Sequence, residues 1–289
     1  MKAAAFGVVR AESLEEAIHA LAEHGDEARV IAGGQSLVPM MALRLASPSV
    51  LVDLARVPGL AAVTVGATGL RISAMARQRD VERDARVARH APLLAGALPH
   101  IGHVAIRNRG TVCGSLAHAD PAAELPTVAL AADAELRLRS AEGARTMAAS
   151  DFFTGYYSTA VRATEIVEAV ELPTIGVRTG TAFVEVSRRH GDFALVGVAA
   201  VLRLDSAGAV EHVRLAVSGV ASTPQRIAAA ESLLLGAPPV PDVVEEAAAA
   251  VRAEVDPGDD LHATAAYRRH VAGVLTARAL RLAAERAAA

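Results

Sequence analysis

Two short stretches concentrate glycine with small hydroxyl residues. The first is Ala32-Gly33-Gly34-Gln35-Ser36, running on into Leu37, and the second is Thr111-Val112-Cys113-Gly114-Ser115. Glycine reaches positive φ without steric cost, so successive amides can converge on an anion as a nest. Ser36 adds a hydroxyl donor, and a helix beginning just after it would aim its positive end at the same point. Two such loops can grip the two phosphates of a dinucleotide with backbone donors alone. Asp120 and Glu124 follow the second loop and could accept hydrogen bonds from ribose hydroxyls, as acids do in dinucleotide sites. Each feature also has a plainer reading: a tight turn for each glycine loop, and an N-cap with a first-turn acid for a helix starting near Pro121.

Other chemistry is poorly supported. The chain has no G-x-G-x-x-G after a strand, no G-x-x-x-x-G-K-[ST], no H-E-x-x-H and no G-x-S-x-G. His100 and His103 lack a nearby acidic third ligand and read as a solvent-facing or core-satisfied pair. Ser115, His118 and Asp120 are close in sequence, but catalytic triads are assembled in space. Cys113 has no identifiable base and reads as a small hydrophobe, not a nucleophile.

The positioning elements follow from composition and pattern. The 289 residues suggest about two domains. A net charge of −3 argues against a nucleic-acid surface built on bulk charge. Hydrophobic residues at 52% with only 3% aromatics imply a large aliphatic core. A single cysteine excludes an intrachain disulfide and any cluster held by four cysteines of this chain. The N-terminus reaches Arg10 and Glu12 too quickly for a signal peptide. The longest apolar run, Ala194 to Leu202, is far short of the ~20 residues of a membrane span. The expectation is a soluble, cytoplasmic protein.

Along the chain, Ser13 and Glu16 form a capping-box pattern before Leu14, Ala17, Ile18 and Leu21, and Gly25 closes that helix. Val30-Ile31, residues 50–54 and residues 70–73 read as strands, and 36–45 as a helix. Residues 78–98 read as a helix broken at Pro92, and 106–119 as loop-rich. Strands follow at 135–139 and 167–172. Residues 183–186, 194–204 and 212–218 predict a three-stranded antiparallel meander, followed by helices near 228–235, 242–255 and 263–285. The class is α+β.

These residues carry a resemblance. AGGQSLVPMMALRLASP at 32–48, VDL at 52–54, RNRGTVCGSLAHADPAAELP at 107–126, DFFTGYYSTAVRATEIVEAVELP at 151–173, SRRHGDFALVGVA at 187–199 and AYRRHVAGVL at 266–275 resemble the FAD-binding medium subunit of the molybdenum hydroxylases, the xanthine and carbon monoxide dehydrogenase group. The resemblance implies a two-part FAD-binding domain of the vanillyl-alcohol-oxidase (PCMH) type over 1–176, with subdomains of about 1–56 and 57–176. A C-terminal domain over 177–289 would carry a three-stranded antiparallel sheet and helices. It further implies that both glycine loops hold the FAD diphosphate, that Asp120 and Glu124 lie along the ribityl and ribose side, and that Ile166 and Val167 contact the adenine or flavin region. Phe193, beside Asp192, would lie near the isoalloxazine.

The chain departs from the family pattern at three points. Cys113 replaces a glycine, Phe193 stands where a tyrosine is frequent, and Val184-Glu185 stands where relatives carry a lysine. The implied function is electron transfer: FAD would take electrons from [2Fe–2S] clusters of a small subunit and reduce an external acceptor. A large subunit with a molybdopterin cofactor would hydroxylate the substrate, within a heterotrimer that itself dimerises. No residue of this chain is then a catalytic acid, base or nucleophile. The competing reading is a stand-alone FAD-dependent oxidase of a small organic substrate.

Overall fold

The computed structural model describes residues 2–289. Its first unit comprises β1 (Gly7–Arg10), α1 (Leu14–His24), β2 (Ala28–Ile31), α2 (Leu37–Ala42) and β3 (Val50–Asp53). The strands form a parallel sheet in the order β1-β3-β2. Ser13 Oγ accepts from the Glu16 amide at 3.0 Å, and the Glu16 carboxylate reaches back one residue past the N-cap to accept from the Glu12 amide at 2.8 Å, a variant of the capping box. Ala17, Ile18 and Leu21 of α1 bury against Val52 and Leu54. The loop bearing Gly33 and Gly34 leaves the end of β2, where strand pairing stops and backbone donors are freed.

The second unit opens with a hairpin of β4 (Val63–Val65) and β5 (Gly69–Ser73). Five short helices follow: α3 (Gln78–Arg83), α4 (Ala85–His90), α5 (Pro92–Ala97), α6 (Val104–Arg107) and α7 (Val112–His118). Residues 78–98 are therefore interrupted at Asp84 as well as at Pro92. The Asp84 carboxylate accepts from the Arg86 amide at 2.9 Å and caps a new helix. The stretch 106–119, expected to be loop-rich, instead carries the end of α6 and all of α7. Next, α8 (Glu124–Ala131) starts three residues later than expected, because the Asp120 carboxylate accepts from the Ala122 amide at 2.9 Å and holds 120–122 in a turn.

The unit closes with β6 (Glu135–Ser140), β7 (Gly143–Ala148), α9 (Ala149–Phe152), β8 (Phe153–Gly155), β9 (Ser158–Thr159) and β10 (Ile166–Pro173). Its main sheet is antiparallel, in the order β4-β5-β10-β6-β7.

The third unit is the expected meander of β11 (Thr179–Ser187), β12 (Ala194–Leu204) and β13 (Val210–Ser218), extended by a two-residue strand β14 (Gln225–Arg226). Three helices cover it: α10 (Ala228–Leu234), α11 (Pro241–Glu254) and α12 (Ala265–Ala288). Val196, Val198, Ala200 and Leu202 pack under these helices. Ala199 and Val201, on the opposite face, join Phe183 and Ala216 in the core of the second unit. With both faces covered, β12 reads as one unbroken apolar run instead of an alternating strand. No helix among the described residues is long and apolar enough to cross a membrane.

Candidate functional site

A cavity of about 750 Å³ lies where the three units meet. That is the upper part of the range of small-molecule sites and leaves room for a dinucleotide. All sixteen residues singled out from the sequence line it: Ala32, Gly33, Gly34, Gln35, Ser36, Leu37, Thr111, Cys113, Gly114, Ser115, Asp120, Glu124, Ile166, Val167, Asp192 and Phe193.

The first wall is the 32–37 loop. Its two glycines serve different ends. Gly34 takes φ +70°, which glycine adopts freely. Gly33 has no such φ; its hydrogen-only side lies against the backbone of Arg109 and Gly110, with no room for a β-carbon. Gln35 Nε2 donates to the Gly33 carbonyl at 3.0 Å and fixes the turn. The amides of residues 33–37 make no hydrogen bond to any described residue, which leaves a run of donors for a ligand. Ser36 makes no side-chain capping bond, so its hydroxyl is also free. α2 is only six residues long, not the expected 36–45, so individual amides contribute more here than a summed helix dipole.

The second wall is not the loop the sequence suggested. Residues 112–115 form the first turn of α7, and Thr111 is its N-cap, with Oγ1 accepting from the Gly114 amide at 3.0 Å. A β-carbon on Gly114 would lie 2.6 Å from Thr111 Oγ1 and 3.6 Å from Ala32 Cβ, so the two walls adjoin. Cys113 turns its thiol away from the cavity, toward the Ile72 carbonyl at 3.5 Å, and is 2% exposed. Burial pushes this thiol up to about 12, which removes it as a nucleophile.

The acids behave differently from each other. Asp120 holds its own turn through the Ala122 amide. Glu124, at the start of α8, is only 4% exposed and has no side-chain partner among the described residues. Burial, reinforced by Glu185, pushes its carboxyl up to about 7, against the pull of its own amide. His100 Nδ1 lies 3.4 Å from Glu185 Oε1, and this contact raises the imidazole above its ordinary value. His100 and His103 therefore do not form a metal pair, and no group of three or more candidate ligands occurs among the described residues. Ser115, His118 and Asp120 line one cavity, with no hydrogen bond joining them among the described residues.

Several lining residues escaped the sequence reading. Tyr157, at φ +51°, places its ring 5.1 Å from that of His118, while burial and the Asp120 charge hold its phenol above the ordinary range. Gln78 presents a buried Oε1 with no partner among the described residues, beside Gly110. Tyr157 lies within the 151–173 stretch that carries the resemblance, but nothing local in that stretch marked it as a site residue. Gln78 left no signal. At the other end, Gly191 (φ +86°) lies against Gly102 and His103 and sets the neighbouring Phe193 at the rim, 61% exposed.

Free consecutive amides, two serine hydroxyls without a partner among the described residues and a cavity of about 750 Å³ fit a diphosphate ester with a large ring system. The fold and site thus define a dinucleotide-cofactor protein: a two-part cofactor domain with a sheet-and-helix domain behind it. Residues 4–175 match the FAD binding domain in molybdopterin dehydrogenase, and residues 181–283 match the CO dehydrogenase flavoprotein C-terminal domain. The chain belongs to this family of FAD-binding oxidoreductase subunits. It is 39% identical over 287 residues to the 6-hydroxypseudooxynicotine dehydrogenase complex subunit alpha of Paenarthrobacter nicotinovorans, covering 99% of this chain and 97% of that one. Among solved structures it superposes on a chain of carbon monoxide dehydrogenase from Hydrogenophaga pseudoflava, in a form lacking the Mo-pyranopterin moiety, with a TM-score of 0.96, 36% identity and 99% coverage of both chains. It matches quinoline 2-oxidoreductase from Pseudomonas putida 86 at a TM-score of 0.94 and 37% identity, again with 99% of both chains covered.

Proposed function

We propose that this chain is the electron-transfer subunit of a molybdenum hydroxylase complex, taking electrons from [2Fe–2S] clusters of a small partner and passing them to an external acceptor. A large partner holding the molybdopterin cofactor hydroxylates the substrate, in a cytoplasmic heterotrimer that itself dimerises. The observation that carries this reading is the wall of unengaged amides at 33–37, set against the 109–115 backbone in one large cleft. Bound there, FAD supplies both one- and two-electron steps, which lets it link single-electron clusters to an acceptor.

The residues divide the work. The amides of Gly33 to Leu37 bind the diphosphate, and the hydroxyls of Ser36 and Ser115 donate to it. Asp120 and Tyr157, with the His118 ring, take the ribose and adenine end, while Asp192 and Phe193 border the isoalloxazine. One cysteine in 289 residues requires four-cysteine clusters to sit on another chain. Substrate choice falls to the large partner, because the relatives named above act on a nicotine derivative, carbon monoxide and quinoline while sharing one fold.

Affinity purification of the chain co-expressed with its neighbouring subunits tests this. The expected result is a yellow complex that contains molybdenum and iron, whose flavin is bleached by substrate only when all three subunits are present. A yellow chain that oxidises an organic substrate alone would overturn it in favour of a stand-alone oxidase.

A further inference from the structure

Behind the cavity wall, an acid of the third unit meets a histidine of the second, and the buried Glu124 lies within range of both charges. Glu124 starts α8 and lines the cavity. The Glu185 side chain, on β11, is 5% exposed; its Oε1 faces His100, and its Oε2 is buried with no partner among the described residues. His100 ends the turn after α5 and sets its ring edge-on to Phe183 at 5.4 Å. A buried carboxylate without a donor is costly, and two neighbouring carboxylates in low dielectric resist being charged together. Glu124 shares its cavity with a run of free amides at 33–37 suited to a dianionic diphosphate. Any anion bound there adds to the repulsion.

We propose that Glu124 acts in its neutral form, donating its O–H to the bound cofactor, and that Glu185 with His100 sets the pH at which it keeps that proton. This rests on FAD occupying the cavity, and it reverses the acceptor role that the sequence suggested for Glu124. The surrounding charges support it. Asp120, in the turn before α8, adds a third acid that favours protonation, and His100 opposes it. Arg214 and Arg226 face the same helix, but Asp133 holds both beyond its far end, about 12 Å away. Of the arginines lining the cavity, Arg29 is fastened to the Asp26 and Ala28 carbonyls, and Arg162 lies beside Glu165. Asp151 on α9 is exposed to solvent. His118, on α7 and in the same cavity wall, is held below its ordinary value by burial and so favours its neutral form. No other cation is therefore placed to hold Glu124 ionised, apart from His100, which Glu185 already occupies.

The test is the FAD dissociation constant of the full chain, stripped of flavin, between pH 6 and 9, with protons counted by calorimetry in two buffers of different ionisation enthalpy. The expected result is net proton uptake on binding near neutral pH, and a Kd that rises by up to about tenfold per pH unit above about 7. Glu124→Gln, which keeps a donor, should bind with a flat pH profile and no uptake at this site. Glu185→Gln should move the onset of weakening to lower pH, since it removes the charge that favours protonation. A Kd that falls as pH rises would overturn the proposal and restore Glu124 as an ionised acceptor. Binding with equal proton uptake in wild type and Glu124→Gln would also overturn it. No FAD binding by the wild type at any pH would overturn the cofactor reading itself, and this inference with it.

Discussion

Gly33 packs directly on the backbone of Arg109: a β-carbon there would overlap the Arg109 carbonyl oxygen and stand 2.7 Å from Gly110 Cα. Neither atom belongs to a side chain that could swing away. This contact joins the first unit to the second at the point where the two walls of the cavity meet. Gly33→Ala must force the walls apart, at about 1–3 kcal/mol of overpacking. At Gly34 the neighbours are the ends of Val38 and Ile31, and the cost is the left-handed backbone, about 1–2 kcal/mol. Flavin content per chain, read from visible absorbance, should fall further in Gly33→Ala than in Gly34→Ala. Equal flavin content in the Gly33 variant and wild type would mean that the walls do not bracket the cofactor.

Thr111 ties the cap of α7 to the amide of Gly114. Thr111→Val keeps the shape and deletes the acceptor, so it should cost about 1 kcal/mol in thermal or denaturant unfolding. It should also weaken FAD binding, while Thr111→Ser restores both. Retention of full stability in the valine variant would show that the cap contributes little.

Cys113 should be inert in the folded chain. With its thiol held at about 12, only about one part in ten thousand is thiolate at pH 8, and the sulfur is buried as well. A disulfide reagent should label it only after denaturant is added. Cys113→Gly should cost about 1–2 kcal/mol, from the lost buried side chain and a helical glycine, with little change in flavin content. Rapid labelling without denaturant is the result that contradicts this placement.

Glu124 makes the stability of the flavin-free chain depend on pH. Its carboxyl is raised from 4.5 to about 7 by burial, so the folded chain holds a proton that the unfolded chain releases. That contribution is complete below about pH 4.5 and is lost as the pH rises through 7. Between pH 4.5 and 8, wild type should lose on the order of 3 kcal/mol relative to Glu124→Gln, which stays neutral throughout. Urea unfolding of both chains across that range measures it, and parallel curves would place Glu124 in water.

Sequence alone was enough for the order and type of most elements and for part of the cavity wall, including both glycine stretches. Ser13 with Glu16, the pair Gly33-Gly34 and the apolar run of β12 are local signals, because capping, turn geometry and strand burial act over a few residues. It misread 111–115 as a loop, since a glycine and hydroxyls describe a helix start as well as a turn, and only the Thr111–Gly114 contact separates the two. It set the start of α8 too early because it could not see the Asp120 turn. Tertiary structure alone decided the rest. Gly33 is required by Arg109, seventy-six residues on, and Glu124 is pushed toward its neutral form first by burial and then by the charge of Glu185, which belongs to another unit. Repulsion and overlap depend on distance in space, and no spacing along the chain encodes that.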